Sequence, residues 1–271
     1  MINIIVAFPA EARPLAGHFR LRGRDSSGPF PVYHNEALCL AISGIGKVAC
    51  AAATAWLQGI QRGQSPSGWL NIGIAGHASH AIGDAYIAHR ITDKANGCSW
   101  YPPQVHGLRF PSENLLTVEV PETGYRDDAL YDMEAAGFYP IACRGATAEL
   151  VQCFKIVSDN RSRPLTAVDT GSYSELVSSR LGDIESLVSE LERMVHCSGA
   201  FNPVPDELQS FTGNWHFTLS QQHRLARLLR RWQALKPGQP IWCGELEKHT
   251  HARGVLRWLE DYLNALPVKL G

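Results

Sequence analysis

The chain has 271 residues, 45% of them hydrophobic and 19% charged, with a formal net charge of -1. That is an ordinary globular balance, long enough for one large α/β domain or one domain with an appendage. The near-neutral charge gives no field favouring nucleic acid or an anionic membrane, and no apolar run is long enough to span a bilayer. The apolar start, Met1 to Phe8, is too short for a signal peptide and lacks a basic lead. The seven cysteines, at 39, 50, 98, 143, 153, 197 and 243, form no CxxC pair. Their odd count and irregular spacing point to reduced thiols in a cytoplasmic protein and signal no metal site.

The first eight residues read as a buried strand, and Pro9 suits the opening of a helix. Residues 37–42 read as a strand running through Ser43-Gly44-Ile45-Gly46-Lys47 into an Ala-rich helix over 47–62. Gly63 and Ser65-Pro66-Ser67-Gly68 end that unit, and residues 69–75 form the next strand. Residues 85–91 and 115–120 suit further strands, followed by a helix over 129–146 that Pro140 should kink or interrupt. Residues 151–158 read as a buried strand and residues 173–195 as one long helix. Alternating strands and helices predict an α/β fold, with a central mixed, twisted sheet flanked by helices over residues 1–195.

Beyond that the composition changes. Residues 197–218 read as loop, with Gly199, Pro203, Pro205 and Gly213. Two helices are then predicted, over 219–235 and 245–265, so residues 196–271 are expected to be a helical extension packed on the α/β domain. Trp215, Trp232, Trp242 and Trp258 suit its core, and the arginines of the first helix suit a solvated face. His249 and His251 form an isolated HxH on a polar helix face, short of the three or four ligands a metal needs.

In sheets of this class, sites lie beyond the carboxyl ends of the strands. The carboxylates there are the candidates. Glu134, in Tyr131-Asp132-Met133-Glu134-Ala135-Ala136-Gly137, stands among apolar and small residues, where a carboxylate is costly without a partner. Glu11 suits either the helix dipole or a base facing the cleft. Asp159 suits either a strand end or a functional acid. The two-glycine turn Ser43–Gly46 suits either tight packing or backbone donation to a polar ligand. Three carboxylates on one rim suit acid/base work on a neutral, polyol-like ligand.

Six segments in order carry a resemblance. They are Ala7-Phe8-Pro9-Ala10-Glu11, Ser43-Gly44-Ile45-Gly46-Lys47, Asn71-Ile72-Gly73-Ile74-Ala75-Gly76, Gly83-Asp84, Asp132-Met133-Glu134-Ala135-Ala136 and Ser158-Asp159. Together they resemble the nucleoside phosphorylase/nucleosidase superfamily over residues 1–195, and most of all its methylthioadenosine/adenosylhomocysteine nucleosidase branch. Glu11-Ala12-Arg13 and Gly73-Ile74-Ala75-Gly76 are also similar to the hopanoid-associated phosphorylases.

The resemblance implies cleavage of the N-glycosidic bond of a purine-type nucleoside, with water or inorganic phosphate as co-substrate and no resident cofactor or metal. Asp159 would assist base departure, Glu11 would orient the nucleophile, and Met133 and Glu134 would hold the ribose. Ser43, Gly44, Gly46, Ala75 and Gly76 would offer contacts near the attacking group. Ser158 would support Asp159, and Lys155 would stand near the nucleophile. A homodimer is also implied, with no nucleic-acid or membrane partner.

Ile74 and Lys155 stand where nucleosidases of this group have serine and arginine, and His77 replaces a glycine. Pro121-Glu122-Thr123 stand in place of the usual base-stacking loop, and Arg13 and Lys47 are the nearby candidates for phosphate. These departures also suit a second reading, a nucleoside-binding or regulatory protein with degraded catalysis.

Overall fold

The computed structural model describes residues 1–25, 28–61, 66–105, 107–164, 170–201, 207–241 and 244–266. Gly63, Ser65, Pro203, Pro205, Trp242 and Cys243 lie outside the described residues. The chain divides into two compact units, Met1–Ser198 and Gly199–Gly271.

In the first unit the elements are β1 (Ile2–Val6), α1 (Pro9–His18), β2 (Arg22–Asp25), β3 (Val32–His34), β4 (Leu38–Ile42) and α2 (Lys47–Ile60). There follow β5 (Gly68–His77), β6 (Ala85–Asp93), β7 (Ser99–Trp100), β8 (Ser112–Thr117), β9 (Leu130–Asp132) and α3 (Ala135–Ala142). Then come β10 (Val151–Asn160), α4 (Thr170–Ser179) and α5 (Leu181–Phe201), and the boundary between the units falls in the last turn of α5.

The ten strands form one mixed sheet in the order β10-β6-β8-β9-β5-β1-β4-β3-β2, with β7 on β6. Because β10 also pairs with β5, the strands β5, β9, β8, β6 and β10 close on themselves. The parallel strands β1, β4, β5 and β10 are buried on both faces, which is why they read as continuous apolar runs. Their side chains alternate between two cores. Ile4, Leu40, Ile72 and Phe154 meet Leu15 of α1 and Leu187 of α5. Ile5, Ala41, Ala75 and Val157 meet Cys50 of α2 and Phe138 of α3.

Several sequence expectations are corrected. The segment 129–146 is a strand followed by a short helix, because Leu130 and Tyr131 are taken up in ladders with β8 and β5. Pro140 lies inside α3 without breaking it, and the helix ends two residues later. Residues 118–120 fall outside β8. The long helix expected over 173–195 is two, interrupted at Arg180, whose guanidinium donates to Gly83 O (2.7 Å). The hairpin strands β2 and β3 carried no legible pattern.

The second unit holds α6 (Glu207–Asn214), α7 (Leu219–Leu235), α8 (Gly244–Glu247) and α9 (Ala252–Ala265). The presence of α6 corrects the loop expected over 197–218. Thr218 caps α7 in exchange with Gln221. Leu225, Leu228, Leu229 and Trp232 of α7 pack against Val255, Leu256 and Leu259 of α9. Leu219, expected in that stripe, is exposed at the helix start. Tyr262 stacks on both Trp232 and Trp258. The arginines of α7 are partly engaged: Arg224 pairs with Glu260, and Arg231 bonds Asn264 and Leu263 O. His249 and His251 lie in the turn between α8 and α9, not on a helix face, and His251 stands at the N-cap position of α9. Among the described residues no helix is long and apolar enough to cross a membrane.

Candidate active site

Glu11 stands at the third position of α1, where a carboxylate can reach back to the orphan N–H groups at the helix start. Its Oε2 accepts from the backbone N–H groups of Ala7 and Phe8 (2.9 Å each), and its Oε1 accepts from that of Ile74 (3.1 Å). The side chain is 1% exposed. Burial pushes its pKa above the ordinary carboxylate range, and the backbone donors and Lys155 only partly oppose that rise. Gly73 makes room for it, since a Cβ there would lie 2.9 Å from Oε1. A carboxylate has about four acceptor positions. Three are occupied, two on Oε2 and one on Oε1, which leaves one position on Oε1.

Beside it, Lys155 of β10 is buried with its ammonium 2.9 Å from Asp132 Oδ2. Asp132 also accepts from Thr117 Oγ1 (2.7 Å) and Ala135 N (2.8 Å), so it caps the start of α3. Thr117 Oγ1 in turn accepts from Ala136 N (3.0 Å). Burial alone would lower the Lys155 pKa, but Asp132 and then Glu134 outweigh it and hold the ammonium charged. Lys155, expected to face the substrate, is therefore committed to a buried ion pair. Asp132 was given no role by the sequence because the segment 129–146 read as helix, and Thr117, inside a strand expected over 115–120, carried no signal of its own.

Glu134 sits at the N-cap of α3. Its Oε1 accepts from Gly46 N (2.8 Å) and its Oε2 from Met133 N (3.3 Å). Burial pushes its pKa up to about 7; Lys155 opposes the rise and Asp132 adds to it. Gly44 and Gly46 have φ of 83° and 96°, the left-handed region that favours glycine. The turn thereby delivers one of its N–H groups to Glu134. Ser43 is turned inward, its hydroxyl within bonding distance of Val6 O and Gly44 O. Gly137 lets α3 approach α2 closely, since a Cβ there would fall 2.0 Å from Lys47 O. Met133 is half-buried beside Val118, Tyr125 and Tyr131.

Asp159 follows a bulge in β10 that shifts its pairing to Gly76 of β5. Ser158 Oγ donates to its Oδ1 (2.5 Å), and Tyr125 OH donates to its Oδ2 (2.5 Å). Ser158 Oγ also lies 3.4 Å from Ala75 O. A Cβ on Gly76 would fall 2.6 Å from Asp159 Oδ2 and 3.1 Å from the Tyr125 ring. Tyr125 is thus the residue that the 118–129 segment brings to Asp159, while Pro121 and Thr123 are exposed. No signal short of the fold marked it.

Of the two cations named for phosphate, Lys47 is paired with Asp93 (2.9 Å) and Glu119 (2.5 Å), and Arg13 is exposed. His77, His80 and Glu113 bring possible metal ligands within 4.8 Å of one another. Their bonding does not suit a metal. His77 Nδ1 accepts from Ser79 N and His80 N, which places its proton on Nε2, the other possible ligand atom. The two rings are also stacked 3.6 Å apart and nearly parallel, so their in-plane lone pairs do not converge.

No protein-family model matches the chain, and no curated protein does. Solved structures do. A 5'-methylthioadenosine/S-adenosylhomocysteine nucleosidase from Helicobacter pylori is 16% identical, with a TM-score of 0.56 over 70% of this chain and 97% of that one. The S. pneumoniae nucleosidase is 19% identical, with a TM-score of 0.55 over 70% and 99%. Futalosine hydrolase from Helicobacter pylori is 15% identical, with a TM-score of 0.55 over 70% and 97%. The α/β part of this chain therefore has the fold of the methylthioadenosine/adenosylhomocysteine nucleosidases.

Proposed function

We propose that this site hydrolyses the N-glycosidic bond of a purine-type nucleoside, with water as the nucleophile. One observation carries the reading: Glu11, Asp132 and Glu134 are buried around a single ammonium, Lys155, which Asp132 already neutralises. Such a site favours a transition state with positive charge on the sugar. It disfavours a phosphate dianion, and the nearest basic candidate, Lys47, is held by two other carboxylates. The shared fold supports the same class of substrate, because its relatives are nucleosidases and a hydrolase.

In this reading Glu134 accepts hydrogen bonds from the ribose 2′ and 3′ hydroxyls, and its charge faces the oxocarbenium-like ring. Asp159 gives a proton to the base as the C1′–N bond breaks and its electron pair passes to the base. The water oxygen bonds to C1′, and Glu11 takes the proton that water loses. The products are a neutral base and a free sugar. A homodimer and a reducing, cytoplasmic setting belong to the same reading; none of the six described cysteines is paired.

Release of base from a panel of adenosine, inosine and 5′-modified analogues tests it. Turnover that survives Asp159→Asn would remove the acid from the scheme. A second reading, nucleoside binding without cleavage, is favoured by Ile74, whose side chain cannot hydrogen-bond a water beside Glu11. Nucleosides that raise the melting temperature but are never cleaved would establish it.

A further inference from the structure

Tyr125 is built into the site at a cost. It is 1% exposed, and its φ of 44° is one of two positive values among the described non-glycine residues. A bulky side chain persists there only where its surroundings hold it. Arg161 Nη2 donates to its carbonyl (2.5 Å), and its ring meets Tyr131 edge-on at 6.3 Å. Tyr131 is itself fixed, its hydroxyl accepting from Asp127 N (2.6 Å). The ring also fills the space left by the missing side chain of Gly76.

All of this delivers one hydroxyl to one atom, Asp159 Oδ2, while Ser158 serves Oδ1. We propose that Tyr125 is a positioning residue for the leaving-group acid, an inference that rests on the nucleoside-cleaving reading of the site. Oδ2 is enclosed between the phenol and Gly76, so Oδ1 carries the proton that passes to the base. As that proton leaves Asp159 and the electron pair of the C1′–N bond moves onto the base, negative charge appears on the carboxylate between two hydroxyl donors. Hydrogen bonds to a carboxylate are stronger than those to the neutral acid, so both donors stabilise the transition state more than the ground state.

The test compares Tyr125→Phe with wild type on two substrates. One is a purine nucleoside, whose base needs a proton to leave. The other is 4-nitrophenyl β-riboside, whose leaving group does not. Tyr125→Phe should lower kcat on the purine nucleoside by about 10- to 100-fold with KM within about twofold, the scale of one lost hydrogen bond to a charged group. Its loss on the nitrophenyl riboside should be at least about tenfold smaller, and Tyr125→Phe should add little to Asp159→Asn on the purine nucleoside. Equal losses on the two substrates, or no loss on either, would overturn this role while leaving the reading of the site intact. Wild-type protein that cleaves neither substrate would overturn both.

Discussion

Lys155→Met removes the ammonium from the middle of the cluster at nearly constant volume. Asp132 would then be a carboxylate with a fully buried side chain and no counter-charge, with Glu134 and Glu11 close enough to raise the local field. Breaking a buried pair from one side costs about 3–5 kcal/mol. Asp132 keeps its bonds from Thr117 and Ala135, which places the expected loss near the lower end, about 3 kcal/mol. For a unit of 198 residues that is roughly 6–12 °C in melting temperature. The assay is a urea and thermal melt at about pH 8 and about pH 5. The deficit should shrink at the lower pH, because the orphaned carboxylates can then bind protons. Lys155→Met/Asp132→Asn should recover part of it, since the unpaired charge is gone. A single variant within about 1 kcal/mol of wild type, or a deficit equal at both pH values, would refute the argument that this charge must be balanced.

The raised pKa of Glu134 sets a pH window. The folded protein holds this proton up to about pH 7, whereas the unfolded chain releases it near the ordinary 4.5. This group's contribution to stability is therefore full below the unfolded value and is lost as pH rises through the folded one. Thermal melts across that window should show the decline in wild type and a flatter curve in Glu134→Gln. Ribose binding, which needs the anion as acceptor, should strengthen over the same window; nucleoside affinity that is flat with pH would count against Glu134 as the diol's partner. Asp159→Asn should cut base release by about 10²- to 10⁴-fold in a turnover assay. Gly137→Ala gains at most about 1 kcal/mol of helix propensity. It also drives a Cβ to 2.0 Å from a backbone oxygen of α2, so a net loss above about 2 kcal/mol is expected in urea titration.

Much of the site was legible because chemistry and spacing coincide at the strand ends. Glu134 announced itself as an acid among small apolar residues, and Glu11 and Asp159 as acids just past buried strands. What escaped was set by long-range pairing. Leu130–Asp132 has the composition of a helix start, and only ladders to β5 and β8 make it a strand. With it went Asp132, whose partner Lys155 lies on a strand 23 residues away in sequence. Tyr125 sits in an irregular segment with no periodicity, and its meeting with Asp159 depends on the bulge at Ser158. At the break at Arg180 the side chain bonds Gly83 O, a contact that no local propensity encodes.

The claim that this site uses water against a nucleoside is tested most directly by identifying the sugar product in the presence of saturating phosphate. The carboxylate-lined cluster around Lys155 predicts free sugar together with free base, at a rate that phosphate does not raise. A sugar 1-phosphate, or release that stops when phosphate is withdrawn, would contradict it.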